Sequence, residues 1–145
     1  MSDKNVKHIE VAAAVIIKDN RVLLTRRKRG EHSEGFWEFP GGKIEKGETP
    51  PACLERELFE ELGVKSKAHE VIIESKYTYA NRSILLIALR AELLDNNISL
   101  RVHDKLKWVP AEKLLEYKLS PADIPIAAKI LELRNIDTSQ TSLKL

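Results

Sequence analysis

The chain has 145 residues, 43% hydrophobic and 32% charged, which suits one soluble globular domain with a real core. A net charge of +2, with acids and bases interspersed, gives no basis for nucleic-acid binding. The single cysteine, Cys53, excludes an intramolecular disulfide, so a reducing compartment is expected.

Residues 11–17 form an apolar run too short to span a bilayer. The N-terminus also lacks the basic-then-apolar order of a secretory signal, so a cytoplasmic location and no membrane association are expected. Asp19-Asn20 is a turn signal and residues 22–24 resume the apolar run, which predicts a β-hairpin. "KRGEHSEG" reads as a polar loop and "FWEFP" as a short aromatic strand ended by Pro40. Gly41, Gly42 and Gly47 make the next segment a loop. Thr49 suits a helix N-cap, Pro50 the first turn and Gly63 the position past the end, so the spacing predicts a helix over Pro50–Leu62. "HEVIIESKYTY" and "RSILLIALRAEL" predict two strands joined near Asn81, the second apolar enough to be buried on both faces. "LKWVP" predicts a shorter strand, and "AEKLLEY" and "DIPIAAKILELR" predict helices. The polar tail, from about residue 135, is expected to fray. One mixed sheet flanked by helices is the simplest assembly.

The helix over Pro50–Leu62 has an unusual charge distribution. At roughly 100° per residue, Glu57, Glu60 and Glu61 share an arc of about 100°. Leu54, Leu58 and Leu62 form a separate apolar face. Like charges three and four apart cost a few tenths of a kcal/mol per pair, roughly, on an isolated helix. A solvated acidic face is the plain reading of such a cluster. A glycine-rich turn just before it lets backbone carbonyls approach a ligand. Oxygen-only ligands suit Mg²⁺, with Mn²⁺ as a substitute, and Mg²⁺ bound by a few carboxylates implies a di- or triphosphate substrate.

Gly42, five residues, Glu48, seven residues, then Arg56-Glu57-Leu58-Phe59-Glu60-Glu61-Leu62-Gly63-Val64 resembles the Nudix box at every fixed position. "TRR", "WEFPGGKIEKGET" and "LSPADIP" extend the similarity to the MutT-like and CTP pyrophosphohydrolase branches, over residues 6 to 134. The resemblance implies an α+β fold, a Nudix α/β/α sandwich with a mixed β-sheet flanked by helices, spanning residues 1–145 as one domain. It implies a Mg²⁺-dependent pyrophosphohydrolase that converts (deoxy)nucleoside triphosphates to the monophosphate and pyrophosphate. Under it, Glu57, Glu60 and Glu61, helped by the Gly41 carbonyl, would hold the divalent cations, and Glu48 would pair with Arg56. Arg27 and His32 would contact the nucleotide. Glu38, Phe39, Pro40, Gly41, Tyr79, Arg82 and Asp123 would line the rest of the substrate site.

Two positions depart from the family pattern. Asp123 stands where the MutT match is an asparagine, and an ionised carboxylate only accepts hydrogen bonds whereas an amide also donates. An aspartate there favours a base presenting N–H donors, such as the exocyclic amine of cytosine, adenine or guanine; the resemblance to the CTP pyrophosphohydrolases, which carry the same "PADIP" run, implies a cytidine nucleotide as a competitor to 8-oxo-dGTP. The other reading of Asp123 is an N-cap of the last helix. Val102 stands where relatives often carry a glutamate before a histidine. Asp104 substitutes for it if the loop shifts; otherwise a box glutamate takes the proton. Cys53 reads as a small buried hydrophobe. Within the same chemistry, a diadenosine polyphosphate or another nucleoside diphosphate linked to X is an alternative substrate. A non-catalytic nucleotide-sensing module is a different class, but the box keeps all its glutamates. Stable nucleic-acid binding is not expected, and the chain reads as a monomer or homodimer.

Overall fold

The computed structural model describes residues 7–28 and 34–140, with backbone alone for Lys7, Tyr79 and residues 135–140. Seven strands and two α-helices run in the order β1 (Lys7–Lys18), β2 (Arg21–Arg27), β3 (Trp37–Glu38), β4 (Gly41–Lys43), α1 (Pro50–Leu62), β5 (Ser66–Tyr79), β6 (Arg82–Leu93), β7 (His103–Pro110) and α2 (Ile124–Gln140). They form one mixed sheet of order β3-β2-β1-β6-β5, with β4 on β1 and β7 on β2.

β1 organises the fold because it serves both halves of the sheet. From Lys7 to Ile16 it runs parallel to β6, while Val11–Ala13 also pairs antiparallel with Lys43–Gly41 of β4. Its last two residues turn into the hairpin with β2. Asp19 and Asn20 both take positive φ, 54° and 63°, as a two-residue hairpin turn demands. Side chains alternate across a strand, so Ala12, Ala14 and Ile16 enter one core and Ala13 and Val15 the other. Burial on both faces explains why β1 and β6 read as continuous apolar runs.

Each core is closed by a helix. Leu54, Leu58 and Leu62 of α1 are fully buried against Ala12, Ala14, Ile87 and Leu89. Burying each leucine contributes about 1.5–3 kcal/mol. Ile126, Ala127 and Ile130 of α2 close the other face over Val22, Leu24, Phe39 and Val109. The sheet therefore sits between helices, the layered α+β arrangement expected.

α1 begins and ends as its sequence predicts. The Thr49 hydroxyl accepts from the Ala52 N–H at 3.2 Å, Pro50 occupies the first turn, and Gly63 closes it in the left-handed region at φ 67°.

Two local expectations need correction, and a third element is helical as expected but of the tighter type. Gly41 and Gly42 are not loop: they form β4 with Lys43. A side chain on Gly41 would collide with the Ala12 carbonyl, so only a glycine lets these two backbones lie so close. The segment Ala111–Glu116 is a 3₁₀ helix, begun directly behind Pro110. The last helix runs to Gln140, past the point where the polar sequence suggested fraying. Residues 141–145 lie outside the described part.

Candidate active site

The carboxylates of α1 face the β3–β4 segment. Gly42 makes room for one of them: a Cβ on it would overlap the Glu57 carboxyl where it now lies. Glu57 is thereby laid across bare backbone, half-buried, while Glu60 is exposed. Glu61 is half-buried, and its Oε1 is enclosed with no hydrogen-bond partner among the described residues. Burial, reinforced by the Glu57 carboxylate beside it, pushes the Glu61 carboxyl up to about 9.

Arg56 holds this face together. Its guanidinium bonds Glu48 at 2.6 and 2.9 Å, Glu57 and Glu60 at 3.1 Å each, and the Lys43 carbonyl at 3.2 Å. Glu48 also accepts from the Glu45 N–H at 2.9 Å. These bonds, chiefly those from Arg56, hold its carboxyl down at about 2. The loop before α1 is thus tied back to the helix. Among the described residues no three carboxylate, histidine or cysteine side chains converge as metal ligands, because Glu57 and Glu60 are turned to Arg56. The donor set still fits a hard dication. An enclosed, unpartnered Glu61 oxygen lies beside a second carboxylate, a costly arrangement that a cation relieves.

A cavity of about 250 Å³ opens next to these acids, lined by Arg27, Glu38, Phe39, Gly41, Gly42, Lys43, Leu86 and Asp123 with residues 11–13. A larger groove, about 650 Å³, lies along Ile16, Asp19, Leu93, Ile98 and Trp108, and none of the site residues assigned from sequence lines it.

Backbone pairing brings the distant segments to this cavity. Trp37 donates to the Lys118 carbonyl at 2.8 Å and accepts from Ser120 at 3.0 Å. That bridge carries the chain from Leu119 into the turn bearing Asp123. The Asp123 carboxylate then accepts from the Phe39 N–H at 3.3 Å. Asp123 is only 6% exposed. Desolvation, and then the neighbouring Glu38 charge, push its carboxyl well above the usual aspartate value. This hydrogen bond ties it to the backbone beside β3, and no capping bond from its side chain to α2 is seen among the described residues. The Pro40 carbonyl accepts from Ala14 at 2.8 Å and locks the same segment to β1.

Glu38 joins the two ends of the site. Arg27 Nε stands 3.2 Å from its Oε1, and His103 Nε2 stands 2.9 Å from its Oε2. Arg27 belongs to β2, Glu38 to β3 and His103 to β7, three neighbouring strands. Asp104 does not enter the site. A bulge between Arg26 and Arg27 makes Asp104 the extra residue of β7, and it forms a two-bond ion pair with Arg26 at 2.8 and 2.9 Å.

The structure brings together Arg27, Glu38, Phe39, Gly41 and Asp123 around the cavity, with Glu48, Arg56, Glu57, Glu60 and Glu61 alongside. Arg82 is exposed at the start of β6, four residues before the cavity-lining Leu86. Tyr79 is described by backbone alone, paired with Arg82. His32 lies outside the described residues. Two residues were not singled out from sequence: Lys43, whose signal was its place after the paired glycines, and His103, whose signal was its position beside the departure at Val102. Cys53 is buried, with its thiol donating toward the Gly42 and Lys43 carbonyls at 3.6 and 3.4 Å. Burial pushes it up to about 11, so it remains a thiol.

A family model described as NUDIX domain matches residues 7–130. The CTP pyrophosphohydrolase of Escherichia coli K12 is 36% identical over 129 residues, 89% of this chain and 96% of that protein. The 8-oxo-dGTP diphosphatase of the same organism is 30% identical over 129 residues, 88% of this chain and 100% of that protein. The solution structure of the E. coli ORF135 protein superposes with a TM-score of 0.79 at 36% identity, covering 90% of this chain and 94% of that one.

Proposed function

The chain belongs to the Nudix family of hydrolases, and from that premise we propose that it is a Mg²⁺-dependent pyrophosphohydrolase of nucleoside triphosphates with a preference for cytidine nucleotides. The observation that carries this reading is one continuous arrangement: the base-sized cavity ending at Asp123 abuts, through Gly42, the carboxylate face of α1.

Glu57, Glu60 and Glu61, with the Gly41 carbonyl, would hold the cation. When bound, it supplies neutralisation of phosphate charge and makes nearby water more acidic. The protein's own groups do the rest. Arg27 and Lys43 offer donors to phosphate oxygens at the cavity mouth. Gly41 and Gly42 let the phosphates approach backbone. Water adds to the β-phosphorus, the bond to the α–β bridging oxygen breaks, and the electron pair leaves on the nucleoside monophosphate. The other product is pyrophosphate. A box glutamate takes the water proton, since Asp104 is committed to Arg26 and position 102 is valine.

Asp123 supports the cytidine preference. A buried carboxyl that retains its proton presents one donor and remaining acceptor capacity. Cytosine offers a ring nitrogen acceptor beside an exocyclic amine donor, which that pair matches. Guanine presents two adjacent N–H donors, which match an ionised carboxylate. The 8-oxo-dGTP reading retains support from the diphosphatase relative, which this chain matches over its whole length. A panel of CTP, dCTP, 5-methyl-dCTP, 8-oxo-dGTP, 2-hydroxy-dATP, ADP-ribose and a diadenosine polyphosphate, scored for phosphate and pyrophosphate release with Mg²⁺, tests the assignment. Cytidine triphosphates should lead in kcat/KM; 8-oxo-dGTP ahead by tenfold or more would transfer the assignment to the second reading.

A further inference from the structure

We propose that His103 is a positioning residue that aims Glu38, and through it Arg27, at the nucleotide. The proposal deepens the functional reading above and rests on it for the identity of the substrate. Nothing about histidine as a residue type requires this role; the geometry does.

His103 is buried, its side chain 1% exposed, at the first position of β7. Its Nε2 stands 2.9 Å from Glu38 Oε2. A carboxylate offers only acceptors, so the ring donates from Nε2. Its Nδ1 is enclosed with no partner among the described residues. The ring therefore has one recorded anchor, and that anchor is Glu38. A core histidine serving packing alone would not need it, and the enclosed Nδ1 is a cost that a leucine of similar size would avoid.

The backbone is arranged to make this contact. Thr25 pairs with Glu38 and Arg27 with His103, so β2 stands between the two strands. The bulge at Arg26/Arg27 inserts Asp104, turning it outward to Arg26 and His103 inward to Glu38. Without the extra residue the alternation of β7 would place the histidine differently. Glu38 Oε2, which faces His103, also stands 3.1 Å from Arg27 Nε, and Oε1 stands 3.2 Å from the same nitrogen, so the carboxylate that His103 holds is the one that holds Arg27. Both Arg27 and Glu38 line the cavity, whereas His103 does not. His103 thus acts through Glu38 and does not touch substrate.

Two polar replacements separate positioning from folding. Glutamine places its amide nitrogen near the Nε2 position and can donate to Glu38. Asparagine is one methylene shorter and cannot reach it. With CTP, His103→Asn should raise KM about tenfold with kcat changed less than threefold, because binding shared by ground and transition states is lost. His103→Gln should recover KM to within about threefold of the native protein. In a Glu38→Ala background, His103→Asn should add no further effect, since the two act as one unit. Equal KM in His103→Asn and the native protein, equal effects of asparagine and glutamine, or multiplicative effects in the double variant would each overturn the proposal. A second arm needs no substrate. Imidazole ¹⁵N correlation spectra of the free protein should show His103 protonated at Nε2, with that signal shifted in Glu38→Ala; an Nδ1–H tautomer, or no response to Glu38→Ala, overturns it. Failure of the native protein to hydrolyse any nucleoside triphosphate would count against the functional reading instead, and the spectral arm would still decide the role of His103.

Discussion

Gly42 and Glu57 share one space: the hydrogen-only side of the glycine is where the glutamate carboxyl lies. The family motif begins with this glycine and has its first helical acid at this glutamate, so the contact gives a steric reason for their coupling. Gly42→Ala should fold, because the far end of Glu57 is flexible and can swing away. Displacing that carboxylate should reduce kcat by about 10²-fold, the scale of loss for a misplacement of about 1 Å. Circular dichroism melting beside steady-state turnover checks both halves. Near-native turnover in Gly42→Ala would separate Glu57 from the chemistry.

The Glu48–Arg56 pair sets an acid limb of stability. Its folded carboxyl lies at about 2, below the ordinary glutamate value of 4.5. A depressed carboxylate contributes stability that is present above the unfolded value and lost as pH falls through the folded one. The native protein should therefore lose stability between about pH 5 and pH 2, and Glu48→Gln should be less stable than native at pH 7 while converging with it near pH 2. Urea melts at pH 7, 4 and 2.5 measure the convergence. The pair is solvent-accessible, so the difference should be modest.

Asp123 predicts the opposite slope. Its folded carboxyl binds a proton more tightly than the unfolded one, chiefly through desolvation. Stability from this group is full below the unfolded value of 3.8 and falls as pH rises through the folded value. Asp123→Asn removes the buried charge and should flatten that decline, leaving the variant more stable than native at pH 8. Asp123→Ala, which removes both the donor and the acceptor that asparagine keeps, should change the ranking of nucleotides without abolishing hydrolysis. An unchanged ranking would reduce Asp123 to the anchor of Phe39.

Cation binding should be visible as stability. At a concentration 100 times Kd, a ligand specific for the folded state adds about 2.7 kcal/mol, or roughly 5–10 °C in Tm for a chain of this size. Mg²⁺ should produce such a rise, and chelation should reverse it. Glu61→Gln should blunt the rise while leaving the cation-free Tm equal or higher, because it removes a carboxyl crowded by burial and by the Glu57 carboxylate. A full Mg²⁺-induced shift in Glu61→Gln would remove that residue from the ligand set.

The elements that were legible in the sequence are those whose determinants are local. Thr49, the prolines and Gly63 delimit α1 at Pro50–Leu62, and Asp19-Asn20 marks its hairpin. The alternation of alanines and branched residues in β1 reveals burial on both faces but not the parallel partner, which is set by β6 far along the chain. β4 was hidden because glycines signal loops, and only the close approach of the Ala12 backbone explains a strand there. The carboxylate arc and the Glu48–Arg56 pair lay within one helix and its preceding turn. Glu38, His103 and Asp123 meet only through a bulge and a loop bridge, which no spacing encodes.

The most direct test is ³¹P NMR of CTP incubated with the protein and Mg²⁺. CMP and pyrophosphate should accumulate together, and Glu57→Gln and Glu61→Gln should each slow their appearance by orders of magnitude. Release of CDP and orthophosphate, or unchanged product formation in both variants, would contradict the account.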